Sequence, residues 1–187
     1  MTYDGIVLAG GAGSRLGGTH KPNLTVAGHR LLDVAIDALS GAATVIVVGP
    51  VVATARPVTW VLEDPPGGGP VAALAAGLSA ATASSTVVLA SDLPFISASI
   101  VASVVSGRGT AGAAIAVDDD GCDQPLIGCY DTGALRAVVP SPVANASMRS
   151  VLQRLERVGE VRRIATPGAG VMDCDTPDDI ARAEALA

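Results

Sequence analysis

Short apolar runs alternate with alanine-rich or amphipathic stretches along most of the chain. Most runs are rich in Val, Ile and Leu, which is typical of strands buried on both faces of a sheet. Strands are predicted at residues 5–9, 44–48, 58–62, 86–90 and 161–165. Helices are predicted at residues 31–39, at about 71–81, after Ser97 and at 147–155. Because strands and helices alternate, we expect a mostly parallel sheet that is covered by helices on both faces.

A different pattern interrupts this alternation in the second half of the chain. Residues 113–117 and 126–130 are predicted strands on either side of an acidic, glycine-containing turn at residues 118–121. This spacing predicts a hairpin-like antiparallel connection, and we interpret the aspartates between the strands as a solvated turn rather than a metal site. Thr176 and Pro177 are the N-cap and first-turn residues expected of a final helix.

The bulk properties of the chain narrow the class of protein. Its 187 residues suit one domain spanning residues 1–187, and we find no linker or internal repeat. A net charge of −6 argues against a nucleic-acid-binding protein. No apolar run reaches the roughly 18 residues of a membrane helix, and Asp4 comes too early for a signal peptide, so we expect a cytoplasmic protein. The three cysteines form no C-x-x-C pair, so neither structural disulfides nor zinc are expected.

A glycine-rich loop at residues 8–22 follows the first predicted strand and contains Lys21, the only lysine of the chain. The Rossmann fingerprint fails because Leu16 stands at its third glycine, and the P-loop fails because Thr19-His20 stands where Lys-Ser/Thr is required. Such a loop can still direct backbone N–H groups at an anion. Arg15 could clamp phosphate oxygens and Lys21 could reach them as a point charge. The alternative is an ordinary glycine-rich turn with two solvated cations.

Acidic residues come later, at the ends of predicted elements. Asp92 follows the strand at residues 86–90, and the carboxyl ends of parallel strands are where ligands bind in such folds. A carboxylate there suits Mg²⁺, which takes one or two carboxylates together with substrate phosphates; the alternative is an aspartate that stabilises a turn. Asp173 and Asp175 flank Cys174 and share a face if the segment is extended. One of them could complete the metal site, or both could serve the dipole of the next helix.

These segments, taken in order, resemble the molybdenum-cofactor guanylyltransferase family within the broader nucleotidyltransferases, and the resemblance covers nearly the whole chain. It rests on five motifs, which are Leu8-Ala9-Gly10-Gly11 followed by Arg15-Leu16-Gly17 and Lys21; Glu63-Asp64 followed by Gly69-Pro70-Val71-Ala72-Ala73-Leu74; Ser91-Asp92-Leu93-Pro94-Phe95; Gln124-Pro125-Leu126; and Asp175-Thr176-Pro177-Asp178-Asp179. Each motif alone is a weak signal, whereas all of them in the same order are a strong one.

The resemblance implies an α/β protein with the single-domain, three-layer, Rossmann-like nucleotidyltransferase fold, in which a mostly parallel sheet contains one antiparallel strand. It implies an enzyme that moves GMP from GTP to a phosphorylated acceptor, molybdopterin, with Mg²⁺ and with release of pyrophosphate. Residues 1–95 would mainly bind the nucleotide, and residues 96–187 would mainly form the acceptor side. Transient contact with a molybdoenzyme or a cofactor-transfer protein is implied as well, whereas neither nucleic acid nor a membrane is expected as a partner.

The same resemblance implies roles for individual residues. Arg15, Lys21 and Asp92 would be catalytic, because the two cations would neutralise the phosphates and the leaving pyrophosphate. Asp92 and Asp175 would bind the metal. The nucleotide would be bound by Leu8, Ala9, Gly10, Gly11, Lys21, Asp64, Gly69, Pro70 and Asp92. Within that set, Asp64 would accept hydrogen bonds from guanine or ribose.

Two positions depart from the family's pattern. His20 stands where the family usually carries Asp, and Asp173-Cys174-Asp175 is closer to the cytidylyltransferase relatives than to the guanylyl branch. Leu8-Ala9-Gly10-Gly11 and Gly69-Pro70 follow the guanylyl pattern instead, and we give the first loop more weight because its backbone would face the base and ribose. A cytidylyltransferase or a sugar-phosphate nucleotidyltransferase of the same fold stays open as an alternative, as does a non-catalytic nucleotide-binding protein.

Overall fold

A computed structural model describes residues 1–10, 24–64, 66–141, 143 and 146–187. Within these ranges the strands are β1 (Asp4–Leu8), β2 (Thr25–Val26), β3 (His29–Arg30), β4 (Val45–Val48), β5 (Thr59–Val61), β6 (Ser85–Ala90), β7 (Ala113–Val117), β8 (Asp123–Asp131) and β9 (Val161–Ala165). The helices are α1 (Leu31–Ala38), α2 (Pro70–Ala80), α3 (Ala98–Arg108), α4 (Thr132–Val138), α5 (Met148–Val158) and α6 (Pro177–Leu186), with a short 3-10 helix at Gly168–Val171.

Seven of the strands form one sheet in the order β5-β4-β1-β6-β8-β7-β9. β1 pairs in parallel with β4 and β6, β4 pairs in parallel with β5, and β7 pairs in parallel with β9. β8 is the exception, because it runs antiparallel to both of its neighbours, β6 and β7. The predicted α/β fold, with a mostly parallel sheet and one antiparallel strand, is therefore confirmed.

The central strands are buried on both faces, as their unbroken apolar runs predict. Side chains of β1 alternate between two clusters: Ile6 packs with Leu74 of α2, whereas Val7 packs with Ile36 of α1. α3 covers the same face as α1, and α4 and α5 cover the same face as α2, which gives three layers. None of the helices formed by the described residues combines the length and apolarity that a membrane crossing requires.

The predicted elements are present with small shifts at their boundaries, and their predicted caps are confirmed. The Ser97 side chain accepts the Ile100 N–H at 3.4 Å at the start of α3. Thr176 and Asp179 form a reciprocal capping box at α6, with Pro177 in its first turn. These side chains satisfy N–H groups that have no partner inside a helix, which is why the sequence marks where the helices begin.

Three elements are absent from the sequence prediction: α4, the β2–β3 hairpin and the short 3-10 helix at Gly168–Val171. α4 starts directly at the end of β8, where the Asp131 carboxylate accepts the Ala134 N–H at 2.8 Å. This helix has seven residues, too few to show a helical period. The β2–β3 hairpin has two residues in each strand and turns through Ala27 and Gly28, both with positive φ. Strands this short show no alternation that a sequence pattern could reveal.

Candidate functional site

A cleft of about 570 Å³ opens beyond the carboxyl ends of β1 and β6. Three parts of the fold form its sides: the connections that follow β1 and β5, the segments after β6 and before α6, and the start of β8 together with the start of α5. In open α/β sheets, ligands bind at this end of the parallel strands. The location of the cleft therefore agrees with the location expected from the sequence.

The first side of the cleft, here called the glycine wall, contains three glycines, at which only main-chain atoms can line the cleft. It consists of Leu8, Gly10, Glu63, Gly67, Gly69 and Pro70. Gly69 is the N-cap of α2 with a φ of 89°, a conformation that favours glycine, and Pro70 occupies the first turn. The Glu63 carboxylate accepts the Gly67 N–H at 2.7 Å and so holds the connection between β5 and α2. The start of α2 lies at the cleft, and the N–H groups of a helix start suit an anionic ligand.

The second side, the carboxylate wall, consists of Asp92, Asp173 and Asp175. Asp92 follows β6, and the other two precede α6. Cys174 between them is fully buried in a cluster with Leu31, and its N–H donates to the Asp92 carbonyl at 3.0 Å. The buried side chain and this hydrogen bond hold the two segments side by side. The expectation that Asp173 and Asp175 share a face of an extended segment is therefore confirmed.

Burial and the negative charges of this wall raise the pKa of Asp173 and of the adjacent Cys174. Partial burial raises the pKa of Asp173, and the negative charges of Asp92 and Asp175 raise it further. Burial, and after it the neighbouring carboxylates with Asp179 foremost, raise the pKa of Cys174 to about 11, so its thiol is protonated near neutral pH and is not a nucleophile. Like charges gathered at one surface are stabilised by a bound cation.

The oxygen donors of the carboxylate wall fit a hard divalent cation such as Mg²⁺. Among the residues that the structure describes, no group of three or more His, Cys, Asp or Glu side chains is arranged to hold a metal ion. A cation at this wall would therefore take one or two carboxylates and complete its shell with oxygens from water or from a substrate, as Mg²⁺ does at phosphate-binding sites. The donor set fits Mg²⁺ that is bound together with a phosphate-bearing ligand.

The third side, the bulge wall, consists of Gln124, Pro125, Leu126 and Met148. Consecutive residues of β7 pair with Gly128 and with Gln124, so the residues between them have no partner on β7. This bulge accommodates Pro125, which has no N–H for the ladder, and the buried Tyr130 hydroxyl donates to the Pro125 carbonyl. A Cβ at Gly128 would lie 2.8 Å from the Tyr130 ring. Glycine therefore lets this ring cross the strand and secure the bulge.

The structure brings together most of the site residues that the sequence predicts. The predicted residues that line the cleft are Leu8, Gly10, Gly69, Pro70, Asp92 and Asp175. Ala9 does not line it: the residue is 1% exposed, and its N–H donates to the Val48 carbonyl at 2.8 Å. Asp64 is exposed and also lies outside the lining, which contains its neighbour Glu63 instead. Gly11, Arg15, His20 and Lys21 lie outside the described residues, so the roles of these residues stay predictions.

Several residues of the lining have no role predicted from the sequence, among them Glu63, Gln124 and Met148. Glu63 precedes the preferred Asp64, and neighbouring residues of an extended segment face opposite sides, so only one of the pair faces the cleft. Gln124 has a recognisable signal, because it is a polar residue that precedes a proline just before the predicted strand at residues 126–130. Met148 has none, because an apolar residue in the first turn of an amphipathic helix is expected in the core.

Solved structures of nucleotidyltransferases share this fold. Molybdopterin-guanine dinucleotide biosynthesis protein A from Archaeoglobus fulgidus superposes with a TM-score of 0.70 at 22% identity and covers 98% of this chain and 97% of its own. The 2-C-methyl-D-erythritol 4-phosphate cytidylyltransferase from Thermus thermophilus superposes with a TM-score of 0.74 at 23% identity and covers 100% and 98%. Likeness at these identities shows the fold, which is that of the nucleotidyltransferases.

Sequence comparison defines the family within this class. Residues 5–158 match the MobA-like NTP transferase domain. A molybdenum cofactor guanylyltransferase from Bradyrhizobium sp. (strain ORS 278) is 30% identical over 202 aligned positions, which cover 98% of this chain and 92% of the relative. The chain therefore belongs to the MobA-like NTP transferase family, and the resemblance carried by its five motifs is confirmed. The protein is an enzyme of the nucleotidyltransferase class.

Proposed function

We propose that this enzyme transfers GMP from GTP to the phosphate of molybdopterin, with Mg²⁺, and releases pyrophosphate. The observation that carries the proposal is the meeting of the glycine wall and the carboxylate wall in one cleft. The first wall suits a nucleotide, and the second suits the cation that accompanies a triphosphate. The choice of guanine and molybdopterin is supported by the relative named molybdenum cofactor guanylyltransferase, which aligns with nearly the whole chain.

The nucleoside would lie along the glycine wall. Gly10 and Gly69 let the ligand approach the main chain closely, and the first N–H groups of α2 have no partner inside the helix. Glu63 lies beside Gly10, because a Cβ at Gly10 would be 3.7 Å from Glu63 Oε1. This carboxylate is an acceptor for N–H or O–H donors of a base or ribose. It would share that role with Asp64, or take it over.

The phosphates would lie between the first loop and the carboxylate wall. Arg15 and Lys21 are the expected partners of the β- and γ-phosphates and would stabilise the charge of the leaving pyrophosphate. Asp92 and Asp175 would hold Mg²⁺, with Asp173 as the alternative second ligand. When bound, the metal would neutralise phosphate charge and help to align the groups that react.

The acceptor needs no strong general base in this reaction. A phosphate monoester is ionised near neutral pH, so its oxygen can attack the α-phosphorus of GTP while pyrophosphate leaves in line. The task of the chain is to hold two substrates in this geometry. The cleft extends from the glycine wall to the bulge wall, which supports one unit with a mainly nucleotide-binding part at residues 1–95 and a mainly acceptor-binding part at residues 96–187.

A panel of substrates tests this proposal. Each of the four NTPs is incubated with molybdopterin, Mg²⁺ and the protein, and pyrophosphate is measured together with the nucleotide-linked product. We expect release with GTP to be the fastest and to require both the acceptor and the metal, and an Asp92→Asn variant controls for contaminating activity. Equal release without molybdopterin would contradict the assigned acceptor, and faster release with ATP or UTP would contradict the assigned nucleotide.

Cytidylyl transfer is the second candidate function, because one observation favours it. Asp173 and Asp175 of the carboxylate wall belong to the segment Asp173-Cys174-Asp175, which is closer to the cytidylyl relatives. The same panel separates the two functions, since CTP would then replace GTP. A protein that binds GTP tightly and releases no pyrophosphate with any acceptor would instead be a non-catalytic nucleotide-binding protein.

A further inference from the structure

The aspartate turn at residues 118–121 contacts Gln124, which lines the cleft, although nucleotide transfer gives the turn no role. Asp118 Oδ1 accepts the N–H groups of Asp120 at 3.0 Å and of Cys122 at 2.8 Å. Its second oxygen, Oδ2, accepts Nε2–H of the Gln124 side chain at 2.9 Å. One carboxylate thus closes the turn with one oxygen and contacts the bulge wall with the other.

This contact determines which atom of the Gln124 amide, the oxygen or the nitrogen, is available to hydrogen-bond with a ligand. A carboxylate only accepts hydrogen bonds, so the atom of the amide that faces Asp118 is the nitrogen. The carbonyl oxygen Oε1 then lies on the other side of the amide, and among the described residues no donor is bonded to it. Because Gln124 lines the cleft, its Oε1 is a side-chain hydrogen-bond acceptor available at the bulge wall.

The start of β8 is held from a second direction as well. Arg163 of β9 donates from Nε and Nη2 to the two carboxylate oxygens of Asp123, each at 2.8 Å. Its Nη2 also donates to Glu156 of α5 at 2.7 Å. The residue before Gln124 is therefore fixed by one network while Gln124 is fixed by another. A side chain that is already ordered loses less conformational entropy when a ligand binds to it.

We propose that Asp118 is a positioning residue that sets the hydrogen-bond polarity of the acceptor subsite through Gln124. The subsite takes an N–H donor of a flat heterocycle, because an amide oxygen supplies the polar contact and the apolar side chains of Pro125, Leu126 and Met148 lie beside it. A pterin ring carries such N–H donors. The inference rests on the proposed function and specifies how its acceptor is recognised.

Asp118→Asn inverts this polarity. The oxygen of the new amide continues to accept the N–H groups of Asp120 and Cys122, because the opposite orientation of the amide would lose these two hydrogen bonds in order to retain the one with Gln124. The new amide nitrogen then faces position 124, and the Gln124 amide turns over to present its nitrogen to the cleft. We expect KM and Kd for molybdopterin to rise about tenfold, with kcat and KM for GTP unchanged. Asp120→Asn removes the same charge from the same exposed turn, and we expect both KM values of this control to equal those of the wild type.

A double variant distinguishes an effect of hydrogen-bond polarity at position 124 from an effect of a disrupted turn. In Asp118→Asn/Gln124→Glu, the amide at position 118 donates to one carboxylate oxygen at position 124, and the other oxygen faces the cleft as an acceptor. We expect KM for molybdopterin to return to within about threefold of the wild-type value. Gln124→Glu alone sets two carboxylates against each other and is expected to bind more weakly than the double variant. A turn with a merely structural role would show no such rescue.

Direct binding of molybdopterin, measured by calorimetry, distinguishes failure of this inference from failure of the proposed function. If the wild type binds molybdopterin and transfers no nucleotide, the proposed function fails, and the binding of the variants still decides the inference. If Asp118→Asn and Asp120→Asn bind equally, or if the double variant is not rescued, the inference is overturned and the proposed function stands. If the wild type does not bind molybdopterin, both are overturned.

Discussion

The glycine wall and the bulge wall border the same cleft but are built by different means. The glycine wall is formed by main chain at Gly10 and Gly69 and by the start of a helix. The bulge wall depends on side chains, with Asp118 directing Gln124 and Tyr130 securing the bulge. Main chain offers the same N–H and C=O groups whatever the sequence, whereas a side-chain network sets the polarity that a ligand meets. The two walls should therefore respond differently to substitution.

Asp92→Ala is expected to have the largest effect, because the carboxylate wall lies between the two other walls and, under the proposed function, binding of both substrates depends on it. Loss of a group that stabilises transition-state charge costs on the order of 3–4 kcal/mol, which lowers kcat several hundredfold. GTP binding should also lose its dependence on Mg²⁺, as titration calorimetry at several metal concentrations would show. Asp178→Asn, in the exposed first turn of α6, is the control. An unchanged magnesium titration in Asp92→Ala would rule out its metal role.

Gly128→Ala tests the bulge wall alone. The new Cβ would lie 2.8 Å from the Tyr130 ring and 3.0 Å from Ile115 Cγ2, and neither side chain has room to move because both are fully buried. Overpacking of this kind costs up to about 3 kcal/mol, so we expect a lower Tm and a higher KM for the acceptor. Gly112→Ala is the control, since the nearest atom to its Cβ would be the Glu160 carbonyl oxygen at 3.4 Å. Equal Tm values for the two variants would show that Tyr130 does not hold the bulge.

Gly69→Ala tests the glycine wall. Its Cβ would meet no atom within 4 Å, so the cost is the backbone strain of a positive φ combined with a ψ of −178°, on the order of 1–3 kcal/mol. If the start of α2 shifts to relieve this strain, KM for GTP should rise while KM for the acceptor stays constant. Gly121→Ala introduces a similar strain at a φ of 77° in the aspartate turn, and we expect it to raise KM for the acceptor instead. Identical effects of the two variants on both KM values would remove the distinction between the walls.

The sequence predicts most of the fold because the features that define it are local. Buried parallel strands give unbroken apolar runs, and the caps at Ser97 and Thr176 lie within three residues of the N–H groups that they bind. The elements it does not predict, which are α4, the β2–β3 hairpin and the 3-10 helix at Gly168–Val171, are too short to produce a period. The sequence pattern therefore predicts those features that depend on residues close together in the chain.

The candidate site, like the fold, is predicted only where its features depend on residues that are close together in the sequence. Asp173 and Asp175 share a face because they are two residues apart in an extended segment, and Gly69 lies at a recognisable helix start. The pairing of Ala9 with Val48 joins two strands that are distant in sequence, so the pattern gives no sign that the Ala9 N–H is already bonded. The contact between Asp118 and Gln124 depends on the register of a bulge, which no periodicity encodes.

The smallest expected effect concerns the ionisation of Asp118. The N–H of Cys122 first, then the Gln124 side chain and, to a smaller extent, the N–H of Asp120 hold the pKa of this carboxyl below the ordinary aspartate value of about 3.9. Because the pKa of the folded state is lower than that of the unfolded state, these contacts stabilise the protein above the unfolded-state pKa. That stabilisation is lost as the pH falls through the folded-state pKa.

NMR titration measures this effect and compares the two kinds of wall directly. We expect the Cys122 N–H and the Gln124 side-chain amide to shift together with one midpoint below about 3.9, because both donate to the same carboxylate. The Ala9 N–H should not follow that midpoint, since its acceptor is a main-chain carbonyl that does not titrate. A Gln124 amide that shifts independently of Cys122 would show that Asp118 does not hold it. The bulge wall would then have no fixed polarity to distinguish it from the glycine wall.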